Sequence, residues 1–442
     1  MGNIDLKKIK NVHFIGIGGI GISAIARMLL LRGVKVTGSD QSEGEVVEEL
    51  RKVGATINIG HRASNIPVET ELVIYTIAIP DNNQELIEAK NRNIPSVTYP
   101  ETLTAISEDH YTIAIAGTHG KTTTTGMIAH VLVELGEDPT VVIGSFLKTS
   151  SGGRSNFISG RGEYFVVEAC EYKKSFLNIT PNIAVITNIE EDHLDFYKDL
   201  EAIKKAFFEF TKRLKAGGTL VLSLAEDNSR EIAEKISKSR PDIKIIDYSK
   251  ITTNIFQLKI PGFHNRRNAA AVYAVTEALG LDTRKSLNVM ESFPGTWRRF
   301  EYRGENRVGA RIYDDYGHHP TEIAATISGA KEIFPDKKIV LVFQPHQYSR
   351  TKLFLNDFAN CFTGISELYV LPIYAAREAR DPEINNEVLV ESIKKTKTVP
   401  KVQAVESFDN VVKILEKISG DSICITMGAG DVNKVADSLV SI

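Results

Sequence analysis

The stretch Gly117-Thr118-His119-Gly120-Lys121-Thr122-Thr123 concentrates the residue types that handle phosphate. A glycine-rich turn exposes backbone N–H groups that cradle anionic oxygens. A lysine at its end spans β- and γ-phosphates, and the threonine hydroxyl after it is a ligand for Mg²⁺. The loop reads GxxGKT, shorter than the common GxxxxGK[ST], yet it keeps the lysine, the threonine and the strand-then-helix flanks. A second glycine turn, Gly16-Ile17-Gly18-Gly19-Ile20-Gly21, follows a strand-like run and opens a helical one. Free N–H groups and the positive end of the helix dipole suit a diphosphate there. Asp40, closing the next strand, stands where a dinucleotide fold sets its ribose-binding acid. The motif alone does not say which nucleotide binds, and a plain tight turn is its bland alternative. Two such loops imply two different phosphorylated ligands.

Glu168 ends YFVVEA, and His193 follows IAVITNI within TNIEEDHLD. On a parallel sheet both strand ends gather at the carboxyl edge, beside the lysine loop. A carboxylate and a neutral imidazole there suit a second Mg²⁺ against the γ-phosphate, although Mg²⁺ favours oxygen and His193 would be an unusual ligand. In HNRRNAAAV, Asn265 and Asn268 suit the edge of an adenine, and helix capping explains Asn265 equally well. Further on, Asp314-Asp315-Tyr316-Gly317-His318-His319-Pro320 and Gln344-Pro345-His346-Gln347-Tyr348-Ser349-Arg350 each follow a strand-like run. Their polar residues look like a site, with Arg350 suited to clamp a carboxylate through two N–H groups. The paired histidines lack the thiolates and the HExxH spacing of zinc sites.

These groups need a scaffold that collects strand ends, and the chain reads as one. Strands over 11–17, 34–40 and 71–79 with a helix over 21–33 predict a parallel sheet with right-handed crossovers. A second set lies over 111–117, 164–169, 183–189 and 219–224, and a third over 310–317, 338–345, 367–374 and 422–430. The expected fold is α/β in three domains: Rossmann-like over 1–108, a P-loop domain over 109–294 and Rossmann-like again over 295–442, with linkers near 107–110 and within 292–309. With 442 residues, 42% hydrophobic and 25% charged, there is material for large cores, which excludes a mostly disordered chain. A net charge of −3 lacks the basic footprint of nucleic-acid binding. Cys170, Cys361 and Cys424 lie far apart with no CxxC, so no disulfide framework is indicated. No uncharged apolar run reaches ~18–20 residues, and the glycine-rich start reads as a strand and not a signal peptide. The expectation is a cytoplasmic protein without a membrane partner.

Taken in order, FIGIGGIGISAIA, AGTHGKTTTT, TNIEEDHLD, HNRRNAAA, WRRFE, DDYGHHPTEI, FQPHQYSRT and MGAGD resemble the Mur ligase family over nearly the whole chain. The resemblance implies three domains serving a UDP-sugar, ATP and an amino acid. It implies ATP-driven joining of L-alanine to the carboxylate of UDP-N-acetylmuramate through an acyl phosphate, a step of peptidoglycan precursor synthesis. By the same resemblance Gly16, Gly18, Gly19 and Gly21 hold the UDP diphosphate, with Asp40 toward the uridine. Gly117, Thr118, His119, Gly120, Lys121, Thr122 and Thr123 hold ATP, and Thr122, Glu168 and His193 serve two Mg²⁺ ions. Asn268 faces adenine, Asp315 the ATP ribose and Arg299 the phosphates. Tyr316, His346 and Arg350 receive L-alanine, with Arg350 on its carboxylate and His346 as either a base or an orienting group. A monomer or weak homodimer is expected.

The chain departs from the family pattern in places. Glu168-Ala169-Cys170-Glu171-Tyr172-Lys173 stands where a run like EADESD is common, and Gln347 where an arginine is usual. Ala206-Phe207-Phe208 occupies the region of the carbamylated lysine of several relatives, so none is expected. Tyr99-Pro100-Glu101 replaces a motif often opened by arginine. Three rivals remain. A nicotinamide dehydrogenase explains only the first glycine turn. A tripeptide-recycling relative shares the chemistry but differs in its third-domain motifs. A non-catalytic homologue would bind ATP without turnover.

Overall fold

The computed structural model describes residues 6–148, 153–194, 196–376 and 378–440. Asp195, the last residue of TNIEEDHLD, lies outside the described residues. The first sheet holds β1 (Asn11–Ile15), β2 (Lys35–Asp40), β3 (Thr56–Ile59), β4 (Leu72–Tyr75) and β5 (Ser96–Thr98) in the order β3-β2-β1-β4-β5. Every ladder is parallel. The central β1 is buried from Val12 to Ile15, as a strand covered on both faces must be. Its register pairs Ile15 with Ser39, which sets the Gly16 turn next to Asp40. The apolar run 71–79 leaves the sheet after Tyr75. That residue lies opposite Ile15, the last of β1, and beyond it the chain turns, Ile79 N donating to Thr76 O at 3.0 Å.

The second sheet holds β6 (Tyr111–Ala116), β7 (Thr140–Lys148), β8 (Arg154–Ile158), β9 (Tyr164–Glu168), β10 (Ile183–Ile186), β11 (Thr219–Leu222) and β12 (Lys244–Asp247), ordered β12-β11-β10-β6-β9-β7-β8. Only β8 runs antiparallel to its neighbour. The lysine loop leaves β6, flanked by β9 and β10, so their ends deliver Glu168 and the Thr187 turn to it. The sequence reading does not contain β7 and β8. Glycine and serine interrupt the first, and the second carries Arg154, Ser155 and Asn156.

The helix Ile20–Leu31 is buried at every residue from Ile22 to Leu29. A surface helix buries one stripe only. This one packs on its own sheet and also contacts β7 and β8. One apolar core therefore runs from Phe14, Ile25 and Met28 through to Val142, Phe157 and Phe165.

The third sheet holds β13 (Glu301–Glu305), β14 (Arg311–Asp315), β15 (Lys338–Phe343), β16 (Glu367–Val370), β17 (Lys401–Ala404) and β18 (Ser422–Met427), ordered β13-β14-β18-β15-β16-β17. All pairings are parallel except β13 with β14. Part of the expected linker 292–309 is thus an edge strand. Its polar EYRGE composition and a register shift between Tyr302 and Gly304 hide it from a pattern search. Because β14, β18 and β15 are neighbours, the loops after Asp315, Met427 and Phe343 share one edge. The chain forms two compact units, Met1–Thr252 with Asn268–Met290, and Thr253–Arg267 with Glu291–Ile442. Among the described residues no helix is long and apolar enough to cross a membrane.

Candidate active site

Gly117 begins the lysine loop at φ +135°, where a Cβ would stand 2.0 Å from Thr187 Oγ1, so the turn admits only glycine. The loop is then fastened to the turn after β10. Thr118 N donates to Asn188 O at 3.1 Å, His119 N to Asn188 Oδ1 at 2.9 Å, and Asn188 Nδ2 to His119 O at 3.1 Å. Gly120, at φ 81°, opens the helix Lys121–Glu134. Asn268 lies against it, since a Cβ on Gly120 would come within 2.7 Å of Asn268 Oδ1. Asn265 lies within the first turn of its own helix, Phe263–Ala278. Its amide donates back to Pro261 O at 2.6 Å.

Lys121 Nζ donates to Gly117 O, to Thr118 O at 3.0 Å and to Glu171 Oε1 at 2.9 Å. Burial works against the charge, but Glu171, with Glu168 adding to it, outweighs burial and holds the ammonium above the ordinary lysine range. The next residue, Thr122, donates Oγ1 to Glu168 Oε1 at 2.9 Å, while Glu168 Oε2 accepts from Gly144 N of β7 at 2.8 Å. His193 has φ +53°, a left-handed backbone that its own Asp192 supports by accepting the His193 N–H at 2.7 Å. Its Nε2 lies 3.6 Å from Glu171 Oε1. Thr122 and Glu168 thus meet directly, whereas His193 meets Glu171. Glu171 is the group that sequence reasoning left out of the site. It is 3% exposed, and its Oε2 is buried without a hydrogen-bond partner. The signal was present as a carboxylate three residues past Glu168, but nothing in the spacing showed that it faces the lysine.

The first glycine turn is built differently. Gly16 N and Ile17 N donate to Ser39 O at 2.8 and 3.0 Å, and Gly18 N donates to Asp40 Oδ2 at 2.8 Å. Asp40 Oδ1 accepts from Gln41 N at 2.8 Å. The acid expected to face a uridine therefore also braces the loop. Gly19 opens the helix with no side-chain cap. Tyr99, just inside a Thr98/Glu101 capping box, lies over Gly21. Burial first, then the charges of Glu168 and Cys170, push its hydroxyl pKa up. The residue whose role the sequence left open therefore lies against the first phosphate loop.

In the second unit, Arg298 is 3% exposed and has φ +55°. It donates Nε to Asp314 Oδ2 at 2.7 Å, and its terminal nitrogens to Gly430 O at 2.9 Å and Gly428 O at 2.7 Å. One guanidinium so ties the end of β14 to the turn after β18. Its partner in WRRF, Arg299, donates to Glu322 Oε1 at 3.4 Å. Both guanidinium carbons face the Tyr316 ring, at 5.1 and 5.5 Å from its centroid. From Tyr316 the rings continue to His318 (5.7 Å), to His346 (5.6 Å) and to Tyr374 (5.7 Å, stacked). Arg350 donates to His346 Nδ1 at 3.1 Å. Tyr316, His346 and Arg350 are therefore brought together, as expected, with His318 and Tyr374 as unforeseen members. Asp315 accepts from Phe300 N at 2.8 Å and Gly317 N at 2.7 Å. Burial pushes its carboxyl up to about 6 against the pull of Arg299. Gln347 has φ +71°, and its N–H is spent on Tyr374 O at 2.8 Å.

Comparison with known families covers the same three regions. Residues 11–111 match the Mur ligase family catalytic domain, 115–268 the Mur ligase middle domain, and 298–430 the Mur ligase, glutamate ligase domain. The chain belongs to the Mur ligase family. Among relatives of this Mur ligase, UDP-N-acetylmuramate–L-alanine ligase of Clostridium acetobutylicum is 39% identical over 99% of this chain and 100% of its own. The enzyme of the same name from Clostridium kluyveri is 40% identical over 98% of this chain and 99% of its own. The crystal structure of UDP-N-acetylmuramate-alanine ligase from Thermotoga maritima superposes with a TM-score of 0.81 at 29% identity, covering 98% of both chains. The three-domain α/β architecture is that of this family.

Proposed function

We propose that this Mur ligase is an ATP-dependent UDP-N-acetylmuramate–L-alanine ligase, releasing ADP and phosphate as it makes UDP-N-acetylmuramoyl-L-alanine for peptidoglycan. The observation that carries the reading is full-length similarity near 40% to relatives of that name. The lysine loop, with its two carboxylates, is consistent with it. The muramyl carboxylate attacks the γ-phosphorus to give an acyl phosphate and ADP. The amine of L-alanine then attacks the acyl carbon, and phosphate leaves from the tetrahedral intermediate.

Two anions must meet in the first step. Their repulsion at ~4 Å is about 4 kcal/mol at an effective ε of ~20. Lys121, held by the carbonyls of its own loop, exchanges Glu171 for phosphate oxygens and offsets part of that repulsion. Glycine N–H groups of the same loop take the remaining oxygens. A divalent metal fits the oxygen donors beside it, because Glu171 keeps a buried oxygen without a hydrogen-bond partner. Thr122 would ligate one Mg²⁺, while Glu168 and His193 would serve a second, with Glu171 as an added carboxylate. The metal would neutralise charge on the transferred phosphoryl group. Gly16, Gly18, Gly19 and Gly21 shape the turn that takes the UDP diphosphate at the N-terminus of the helix Ile20–Leu31, and Asn268, Arg299 and Asp315 contribute to the nucleotide site.

Arg350 takes the carboxylate of L-alanine. His346 beside it serves as an orienting group or as the base. Arg350 has only N–H groups to offer, so Nδ1 of His346 is an acceptor and the ring proton sits on Nε2. In that tautomer Nδ1 carries the lone pair through which the ring takes a proton when Arg350 turns to the carboxylate. We place the enzyme in the cytoplasm, where its nucleotide substrates are made. The test is ADP release by the purified chain. It should require UDP-N-acetylmuramate and L-alanine together, and release that ignores either substrate would refute the reading.

A further inference from the structure

Asn156, in the middle of β8, is wholly buried. Its Nδ2 donates to Ile20 O and, at 2.8 Å, to Ser23 Oγ, both in the first turn of the helix that the Gly16–Gly21 loop opens. Ser23 Oγ in turn donates to Ile20 O at 2.9 Å. Ile20 O can only accept, so the amide nitrogen must face it. That orientation leaves Asn156 Oδ1 buried with no partner.

An orphaned buried acceptor costs about 1–3 kcal/mol, and an apolar side chain of the same volume would avoid it. Stability alone does not call for an amide here. Position does. The hairpin that carries Asn156 reaches the other phosphate loop through β7, whose pairing with β8 is interrupted between Val142 and Leu147. Gly144, within that interruption, donates its N–H to Glu168, the carboxylate that accepts from Thr122. Arg154, two residues before Asn156, lies 3.8 Å from Glu45 of the first domain and adds a weak outer contact. The β7–β8 hairpin is therefore a strut with the sugar-nucleotide helix at one end and the ATP loop at the other.

We propose that Asn156 is a positioning residue for the ligation. By fixing the first turn of that helix to the hairpin, it sets the distance between the muramyl carboxylate and the γ-phosphate. It touches neither substrate. The inference rests on the function proposed above. An in-line attack tolerates little displacement, and a misplacement of ~1 Å can cost about a hundredfold in rate.

The test is Asn156→Leu, which keeps the volume and removes both donated bonds. We expect kcat to fall at least about tenfold. Affinities for UDP-N-acetylmuramate alone and for ATP alone should stay within about twofold, and thermal stability should be unchanged or higher. A wild-type kcat would overturn the proposal. So would a parallel loss of both affinities and of stability, which is the signature of a merely structural residue. Should the leucine variant fail to fold, Ser23→Ala, which removes one of the two partners, decides on the same terms with a fall of about threefold expected. Hydrogen exchange gives a readout that does not depend on turnover. The amides of residues 20–24 should exchange faster in the variant and those of 121–125 should not. Equal rates at 20–24 would refute the strut even if the wild-type enzyme proved inactive with these substrates, an outcome that would by itself refute only the functional reading.

Discussion

The two glycine turns share an origin and differ in equipment. Each leaves the central strand of a parallel sheet, β1 or β6, and opens a helix. The first is braced by its own chain, with Ser39 O and Asp40 filling Gly16, Ile17 and Gly18 N–H groups, and it has no cation. The second carries Lys121, Thr122 and two carboxylates, and is fastened from outside by Asn188. The same backbone device is a holder in one place and a reactor in the other. The difference lies in the side chains brought by the neighbouring strand ends.

Lys121→Ala is the sharpest test of that contrast. ADP release should fall by at least about a thousandfold, as for the loss of a main electrostatic group in a transition state, while UDP-sugar binding by calorimetry persists. Near wild-type ADP release with both substrates present would erase the distinction. Arg350→Ala probes the second unit as a control for both loops. The KM for L-alanine should rise about tenfold to a hundredfold, the worth of a charged hydrogen bond, and the KM for ATP should move little. Equal changes in both would take Arg350 off the carboxylate.

Asp40→Ala attacks the holder. The KM for the UDP-sugar should rise about tenfold as Gly18 loses its brace, with ATP kinetics unaffected. An ATP effect of the same size would mean that the loops are not separable. The smallest expected effect is on pH dependence. Burial raises the Asp315 carboxyl to about 6, so the folded state holds that proton more tightly than the unfolded chain does. Its contribution to stability therefore grows as pH falls from about 6 toward 4, by about 1–3 kcal/mol, and is lost as pH rises. Thermal melts of Asp315→Asn should lack this slope, and an unchanged slope would assign it to other groups.

Much of this was legible in the chain itself. Both glycine turns, the strands that feed them and the polar loops 314–320 and 344–350 follow from residue type and position, while the choice of Tyr316, His346 and Arg350 within those loops rests on the family resemblance. What escaped has physical causes. Edge strands such as β8 and β13 are short and polar, so alternation is faint. Glu171 and Arg298 act through partners distant in sequence, Lys121 and the Gly428–Gly430 turn, which spacing cannot supply. Arg298 and Arg299 are adjacent and chemically identical, yet one is wired into the backbone and the other faces Glu322. The left-handed φ of Arg298 separates them.

The unbroken core shared by the first two sheets also bears on how the gene can be cut. A fragment ending at Glu108 would carry its glycine turn intact but lay bare the apolar flank of the helix Ile20–Leu31, which β7 and β8 normally cover. Such a piece would be sticky in isolation. Separable in sequence, the two are a single article in manufacture, and swapping one for a relative's counterpart means carrying the hairpin along with it.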